Sequence, residues 1–415
     1  MSLLHLTRPR SILALLLTVN LLNYVDRQAL YAVFPLIKAD LQLSDTSLGL
    51  LGSAFMLCYM LTAPLFGWIG DRTHRPRLAS AGLLVWSMAT ILSGMAGSYR
   101  WLLAARSLVG IGEASFGTVS PGLVADCTPR EQRGRTLSIF FLAIPVGSAL
   151  GYVLGGTLGQ HFGWQKAFLM VGLPGLLLTF PLALLKEPHT TANATVRPAL
   201  CWNTLKQEGM TFLNNKTYLY ATLAMAAMTF ALGGLAQWVP SFLHRTYALD
   251  VARGNTLFGA ITVVAGIGGT LGGGWLGDRW QRVNPAGYLY VSAAGFLLGA
   301  PLTAVAILAG SLKLCLVAIF AAELCLFLNT GPLNTVLINV VAPQRRALGF
   351  ALNIFVIHAL GDAISPAIIG ALSDTAGLQK GLLLAPLAVL IAAGCALWGG
   401  KFVAIDQGRV EETHG

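Results

Sequence analysis

Charge is scarce in this chain. Of its 415 residues only 11% are Asp, Glu, Lys or Arg while 55% are hydrophobic, whereas a soluble domain carries about 25% charged residues. This is not the composition of a soluble globular protein. Cysteine is sparse too: Cys58, Cys127, Cys201, Cys315, Cys325 and Cys395 are scattered, form no CxxC pair and mostly fall inside apolar runs. That excludes a disulfide or metal framework and leaves small buried hydrophobes. Period-two alternation over segments of about ten residues is missing, which excludes a membrane barrel. No GxxxxGK[ST] loop occurs, so ATP-driven pumping by this chain alone has no phosphate cradle. The opening stretch sets Arg8 and Arg10 ahead of an apolar run, without a small-x-small cleavage site after it. The run continues through Asn23, Tyr24, Asp26 and Arg27 to Pro35, and reads as a first span that is retained.

What is abundant is apolar sequence in lengths that suit bilayer spans of about 20 residues. Such runs fall at 11–37, 46–70, 77–97, 100–126, 135–160, 165–186, 217–243, 254–276, 286–309, 312–340, 346–372 and 379–401. The expectation is an all-α membrane protein of twelve transmembrane helices. The connections are short except at 187–216, a polar stretch punctuated by Pro188 and Pro198. It is read as a cytoplasmic linker between an N-terminal six-helix bundle (1–186) and a C-terminal one (217–415). Lysine and arginine set the orientation. With the N-terminus inside, the opposite loops hold only Lys38, Arg100, Lys166, Arg245, Arg253, Lys313 and Lys380 of the 27 basic residues. Both termini are therefore expected in the cytoplasm, in a bacterial inner (plasma) membrane. The net charge of +10 then reflects topology and attraction to anionic lipid. Partners are the bilayer and a small substrate, with no nucleic acid, and the chain is expected to act as a monomer. The glycosylation-like sites at Asn193 and Asn215 lie on the predicted cytoplasmic side and are discounted.

One short pattern occurs twice. GWIGDR at 67–72 and GWLGDR at 274–279 stand 207 residues apart, each closing an even-numbered span and opening a cytoplasmic loop. TPREQRGR after the fourth span is echoed by APQRRALG after the tenth. A duplicated half is the plan of transporters whose two parts rock around a midplane site. Gly67 and Gly70, like Gly274 and Gly277, allow close helix approach. Asp71 and Asp278 sit at the negative end of their own helix dipoles, where a carboxylate is unfavourable. Each is therefore expected to dock on the start of a helix in the other half: Asp71 near Arg346, Asp278 near Arg135. With Arg72, Arg75, Asp126 and Arg279 they form a candidate conformational latch on the cytoplasmic side. The alternative is a solvated loop anchored by its positive charges.

An ionisable group at the bilayer centre costs about 2.5–3.5 kcal/mol on insertion scales. The chain keeps Asp26 and Arg27 in its first span and Arg106 and Glu113 in its fourth. Arg106 and Glu113 are seven apart and share a helix face. Asp26 and Arg27 differ by about 100° and face different ways. The expected arrangement lets Asp26 and Glu113 share Arg106 or a proton, with Arg27 toward the pore. A static salt-bridge tie needs only one acid and one base, whereas two of each are present. Two nearby carboxylates cannot both hold charge cheaply, and the four are assigned to proton coupling. Candidate substrate contacts are Arg27, Tyr31, Glu113, Glu323, Asn329, His358 and Asp362. The His358-x-x-x-Asp362 spacing also fits an acyltransferase, but no nucleophile or oxyanion loop accompanies it. The chain is therefore read as a carrier, not an enzyme, with no cofactor beyond protons.

These stretches carry a family resemblance. GWIGDRTHRPR resembles the loop signature of the major facilitator superfamily, and RSLVGIGEASFGTVSPGLVAD (106–126) its fourth-span arginine motif. NYVDR (23–27), FFLAIPVGSALGYVLGG (140–156) and HALGDAISPAIIGALSD (358–374) resemble the spinster branch. The likeness is dense over the first 160 residues, thin from 187 to 345, and returns in the eleventh span. It departs in the fifth span, where an antiporter-type Gly-Pro pair is absent and Pro145 comes earlier; the direction of coupling stays open. The resemblance implies two pseudo-symmetric six-helix bundles. It also implies proton-coupled alternating-access transport of a lysophospholipid- or sphingoid-like substrate, with multidrug or small organic-anion transport as the alternative.

Overall fold

The computed structural model describes residues 9–70, 72–129, 132–187, 211–342 and 345–412. Their regular structure is helical, with no strand among the described residues. The first half builds α1 (Pro9–Ala32), α2 (Phe34–Leu41), α3 (Asp45–Gly70), α4 (Arg75–Gly94), α5 (Tyr99–Asp126), α6 (Arg133–Phe141), α7 (Ala143–Phe162) and α8 (Trp164–Ala183). The second builds α9 (Lys216–Tyr247), α10 (Val251–Gln281), α11 (Gly287–Leu308), α12 (Leu312–Phe327) and α13 (Thr330–Val340). It continues with α14 (Arg346–Leu360), α15 (Ser365–Ala376), α16 (Leu378–Leu382), α17 (Leu384–Gly400) and α18 (Val403–Glu412).

Eleven helical stretches among the described residues are long and apolar enough to cross a membrane. The twelfth expected span is α1, which has the length, 24 residues, but carries Asn20, Asn23, Asp26 and Arg27. Several spans are two helices in sequence. The first breaks at Val33, because Pro35 sits in the opening turn of α2, where a missing N–H is harmless. The tenth divides between α12 and α13, and the eleventh at Gly361, with φ −105° and ψ −111°. Helix starts are capped locally: the Ser98 and Ser311 hydroxyls accept the N–H groups of Trp101 and Leu314. Gln42 adopts φ 50° to close α2, so the chain reverses into α3 within three residues.

Contacts divide the chain into two compact units. The first comprises Met1–Thr191, Ala236–Val263 and Pro366–Leu378; the second comprises Ala192–Leu235, Val264–Ser365 and Gln379–Gly415. In the first unit α3 packs on α5, α4 on both α5 and α8, and α1 on α7. The last contact depends on glycine: a Cβ on Gly151 would lie 2.6 Å from the Val25 carbonyl oxygen, and one on Gly155 2.7 Å from the Ala29 Cα. The first unit also takes in the end of α9, the start of α10 and most of α15, so it holds pieces of both halves of the sequence. In the second unit α11 packs on α12 and α17. Leu61, Leu177, Phe180 and Leu271 leave most of their side chains uncovered. So much bare apolar surface suits lipid, not water.

Candidate functional site

The site grows from α1. Adjacent residues on a helix point about 100° apart, so Asp26 and Arg27 reach different partners. Asp26 turns toward α4 and α5, where Arg106 donates to one carboxylate oxygen at 3.1 Å and the Thr90 hydroxyl donates to the other. Arg27 turns toward α3 and α5, and its Nε donates to Glu113 at 2.6 Å. Asp26, Arg106 and Glu113 are 2%, 1% and 0% exposed. The expected sharing of Arg106 by both acids does not occur: the four form two pairs, Asp26–Arg106 and Glu113–Arg27. The reason is the α1 geometry, which places each acid beside its own base.

Aromatic rings insulate both guanidiniums. That of Arg27 lies 5.2, 5.0 and 5.0 Å from the ring centres of Tyr24, Phe55 and Tyr59. Arg106 lies between Phe55 and Phe168, at 5.9 and 5.7 Å. Such contacts favour the cation where water is excluded. The remaining Glu113 oxygen, Oε1, is buried with no hydrogen-bond partner among the described residues. A buried acceptor without a donor is costly, and a proton on that oxygen would make it a donor. Tyr31 stands nearby in sequence with its ring edge-on to Phe34 at 5.7 Å.

The second-half candidates lie in the other unit. Glu323 is buried on α12. Asn329 donates to the Leu326 carbonyl at the α12–α13 junction, and Asn334 to that of Thr330. His358 and Asp362 pair at 2.8 Å across the break after α14.

The latch residues acquire local partners. Gly67 and Gly70 face Thr118 and Val119 of α5. Arg72 stacks on Trp68 at 4.3 Å and donates to its carbonyl. Arg75 bridges Asp126 at 2.7 Å and Glu187 at 2.6 Å. In the second copy Asp278 accepts from the Tyr288 hydroxyl at 2.7 Å, Arg279 stands over Trp275, and Gly277 faces Tyr288, whereas Gly274 faces open space. Arg346 donates to the carbonyls of Ile338 and Val341. Asp71 and the Arg135 side chain lie outside the described residues, so the expected dockings of Asp71 and Asp278 do too.

One cluster escaped the sequence reading. At the α2–α3 turn Asp45, 2% exposed, accepts from Lys38, from Ser373 and from both terminal nitrogens of Arg245, at 2.6 and 2.7 Å. The Ser44-Asp45 pair ahead of an apolar run is a helix-start signal, but nothing local announces partners 200 and 328 residues away.

A helical bundle with charges paired at depth is the architecture of a membrane transporter, and residues 16–366 match the Major Facilitator Superfamily. The chain is 34% identical to the Drosophila melanogaster protein spinster over 369 residues, 86% of this chain and 60% of that protein's length. It is 33% identical to the sphingosine-1-phosphate transporter SPNS2 of Mus musculus over 421 residues, 95% of this chain and 75% of that one. Its fold matches the crystal structure of a bacterial homolog of the human lysosomal transporter Spinster, in an inward-facing and unoccupied conformation, with a TM-score of 0.85. That match has 23% identity and covers 96% of this chain and 98% of the other. The chain is thus an integral multi-pass membrane protein and a transporter of the major facilitator class. Within that class it belongs to the spinster family.

Proposed function

We propose that the chain moves an amphipathic, lysophospholipid- or sphingoid-type molecule across the membrane by alternating access, with protons as the coupling ion. The observation that carries this reading is the buried quartet of two acids and two bases, in which one oxygen of Glu113 has no donor among the described residues. A proton arriving at Glu113 weakens its hold on Arg27, and Arg27 is the most exposed member of the quartet, with 16% of its side chain uncovered. Arg27 is then available to an anionic or zwitterionic head group, while apolar walls accept the chain. Loss of the proton restores the pair. A gradient of one pH unit supplies about 1.4 kcal/mol per proton, enough for about tenfold accumulation. The functional halves are taken as 1–186 and 217–415, joined by 187–216, in a bacterial inner membrane with both termini cytoplasmic.

The test is transport into proteoliposomes holding a panel of lysophospholipids, sphingoid phosphates and organic-anion dyes, with and without an imposed pH gradient. Gradient-dependent movement of a lysolipid or sphingoid is expected. Movement of the dyes alone would assign the alternative multidrug or organic-anion activity, and lipid movement indifferent to the gradient would remove the proton.

A further inference from the structure

A carboxylate from the second half of the sequence docks on a helix start of the first half, at the end of α3 opposite the GWIGDR stretch. Asp374, near the close of α15, accepts the backbone N–H groups of Asp45 and Thr46 at 2.7 and 2.8 Å and the Thr46 hydroxyl at 2.6 Å. It thereby satisfies the first amides of α3, which have no partner inside their own helix. A second contact has the same form. Gln160, near the close of α7, accepts the N–H of Ala252 in the first turn of α10 at 2.7 Å. Ala252 stands 207 positions after Asp45, the interval that separates Gly274 from Gly67. The capping residues Gln160 and Asp374 stand 214 positions apart, seven more than the capped ones, so the caps are related by the repeat in the spans they join and not residue for residue: a residue ending the eleventh span holds the second, and a residue ending the fifth holds the eighth.

The two caps differ in strength. Asp374 is charged, makes three hydrogen bonds and faces the positive end of the α3 dipole, and its neighbour Ser373 donates to the Asp45 hub. Gln160 is neutral and makes one such bond. Nearby Asn255 adds a bond to the Ala32 carbonyl at 3.0 Å. We propose that Asp374 and Gln160 are repeat-related positioning residues of transport: together they hold this end closed, and the Gln160 side releases before the Asp374 side. The proposal rests on the alternating-access reading, but its test measures conformation without any substrate, so the failure of one is distinguishable from the failure of the other.

Spin labels on a cysteine-free background report each cap separately in lipid nanodiscs: Ala39→Cys with Thr375→Cys beside Asp374, and His161→Cys with Arg253→Cys beside Gln160. All four sites are exposed. In the unmodified background the 39–375 distance distribution is expected to be narrow and the 161–253 distribution broader. Asp374→Asn adds a long-distance component to the 39–375 pair, and Gln160→Glu narrows the 161–253 pair without a change in melting temperature. If Asp374→Asn does not fold, Thr46→Val removes only the hydroxyl bond and produces a smaller shift in the same direction. Distributions that ignore both Asp374→Asn and Thr46→Val overturn the proposal, and so does a 39–375 pair broader than the 161–253 pair before any substitution.

Discussion

Replacing Asp26 by Asn keeps an oxygen for Arg106 and a partner for Thr90, so the substitution removes a titratable group without opening a cavity. Asp26→Asn takes the countercharge from Arg106 but leaves it an acceptor. It is therefore expected to lower the melting temperature less than loss of Arg106 does, to leave the protein folded and to abolish the response of transport to a pH gradient. A variant with wild-type pH dependence would remove Asp26 from the coupling path. Arg106→Met has a different outcome. It leaves Asp26 buried beside Thr90 alone, and stranding one member of a buried pair costs about 3–5 kcal/mol. Its melting temperature in detergent should fall sharply, and Asp26→Asn in the same chain should recover much of the loss. Recovery is the diagnostic, because unrelated damage would add, not cancel. The four residues of this cluster were legible in the sequence because charge is so rare in an apolar chain. Their pairing was not, since it depends on where α1 sits against α5, and adjacent residues can exchange roles under a modest rotation.

At the scale of the helix, glycines that look alike in sequence divide sharply. Gly151 has no room for a Cβ against α1, while Gly274, inside the repeated GWLGDR stretch, has nothing within 4 Å. Gly151→Leu is expected to push α1 off α7, at about 1–3 kcal/mol for overpacking, and to displace Asp26 with it. Transport should then fail together with stability. Gly274→Ala should stay within about 0.5 kcal/mol of the parent in thermal melts. Span positions followed directly from hydropathy; the breaks at Val33, between Phe327 and Thr330, and at Gly361 did not. A hydropathy window averages over a turn or two, and an interruption of one to four residues leaves that average unchanged. α18 was hidden for the opposite reason. Its ten residues mix Asp406, Arg409 and Glu412 with apolar positions, too short and too polar to register as a span.

For the whole molecule, the uneven placement of basic residues predicts that a tag fused to either terminus is protected from protease in right-side-out vesicles and cleaved in inverted ones. Cleavage in the right-side-out preparation would reverse the topology. The clustering of Lys38, Asp45, Arg245 and Asp374 at the end expected to lie outside could not be read from the chain, because each is unremarkable in its own loop. Hydropathy reports how deep a segment lies and says nothing about which loops meet. The aromatic enclosure of Arg27 carries one more consequence. Three rings within about 5 Å of its guanidinium suit a flat, forked cation that can stack on aromatic faces, which a round ammonium does less well. Lysine at that position would keep the electrical balance yet lose the directional grip on Glu113, so Arg27→Lys is expected to transport more slowly than the parent in proteoliposomes.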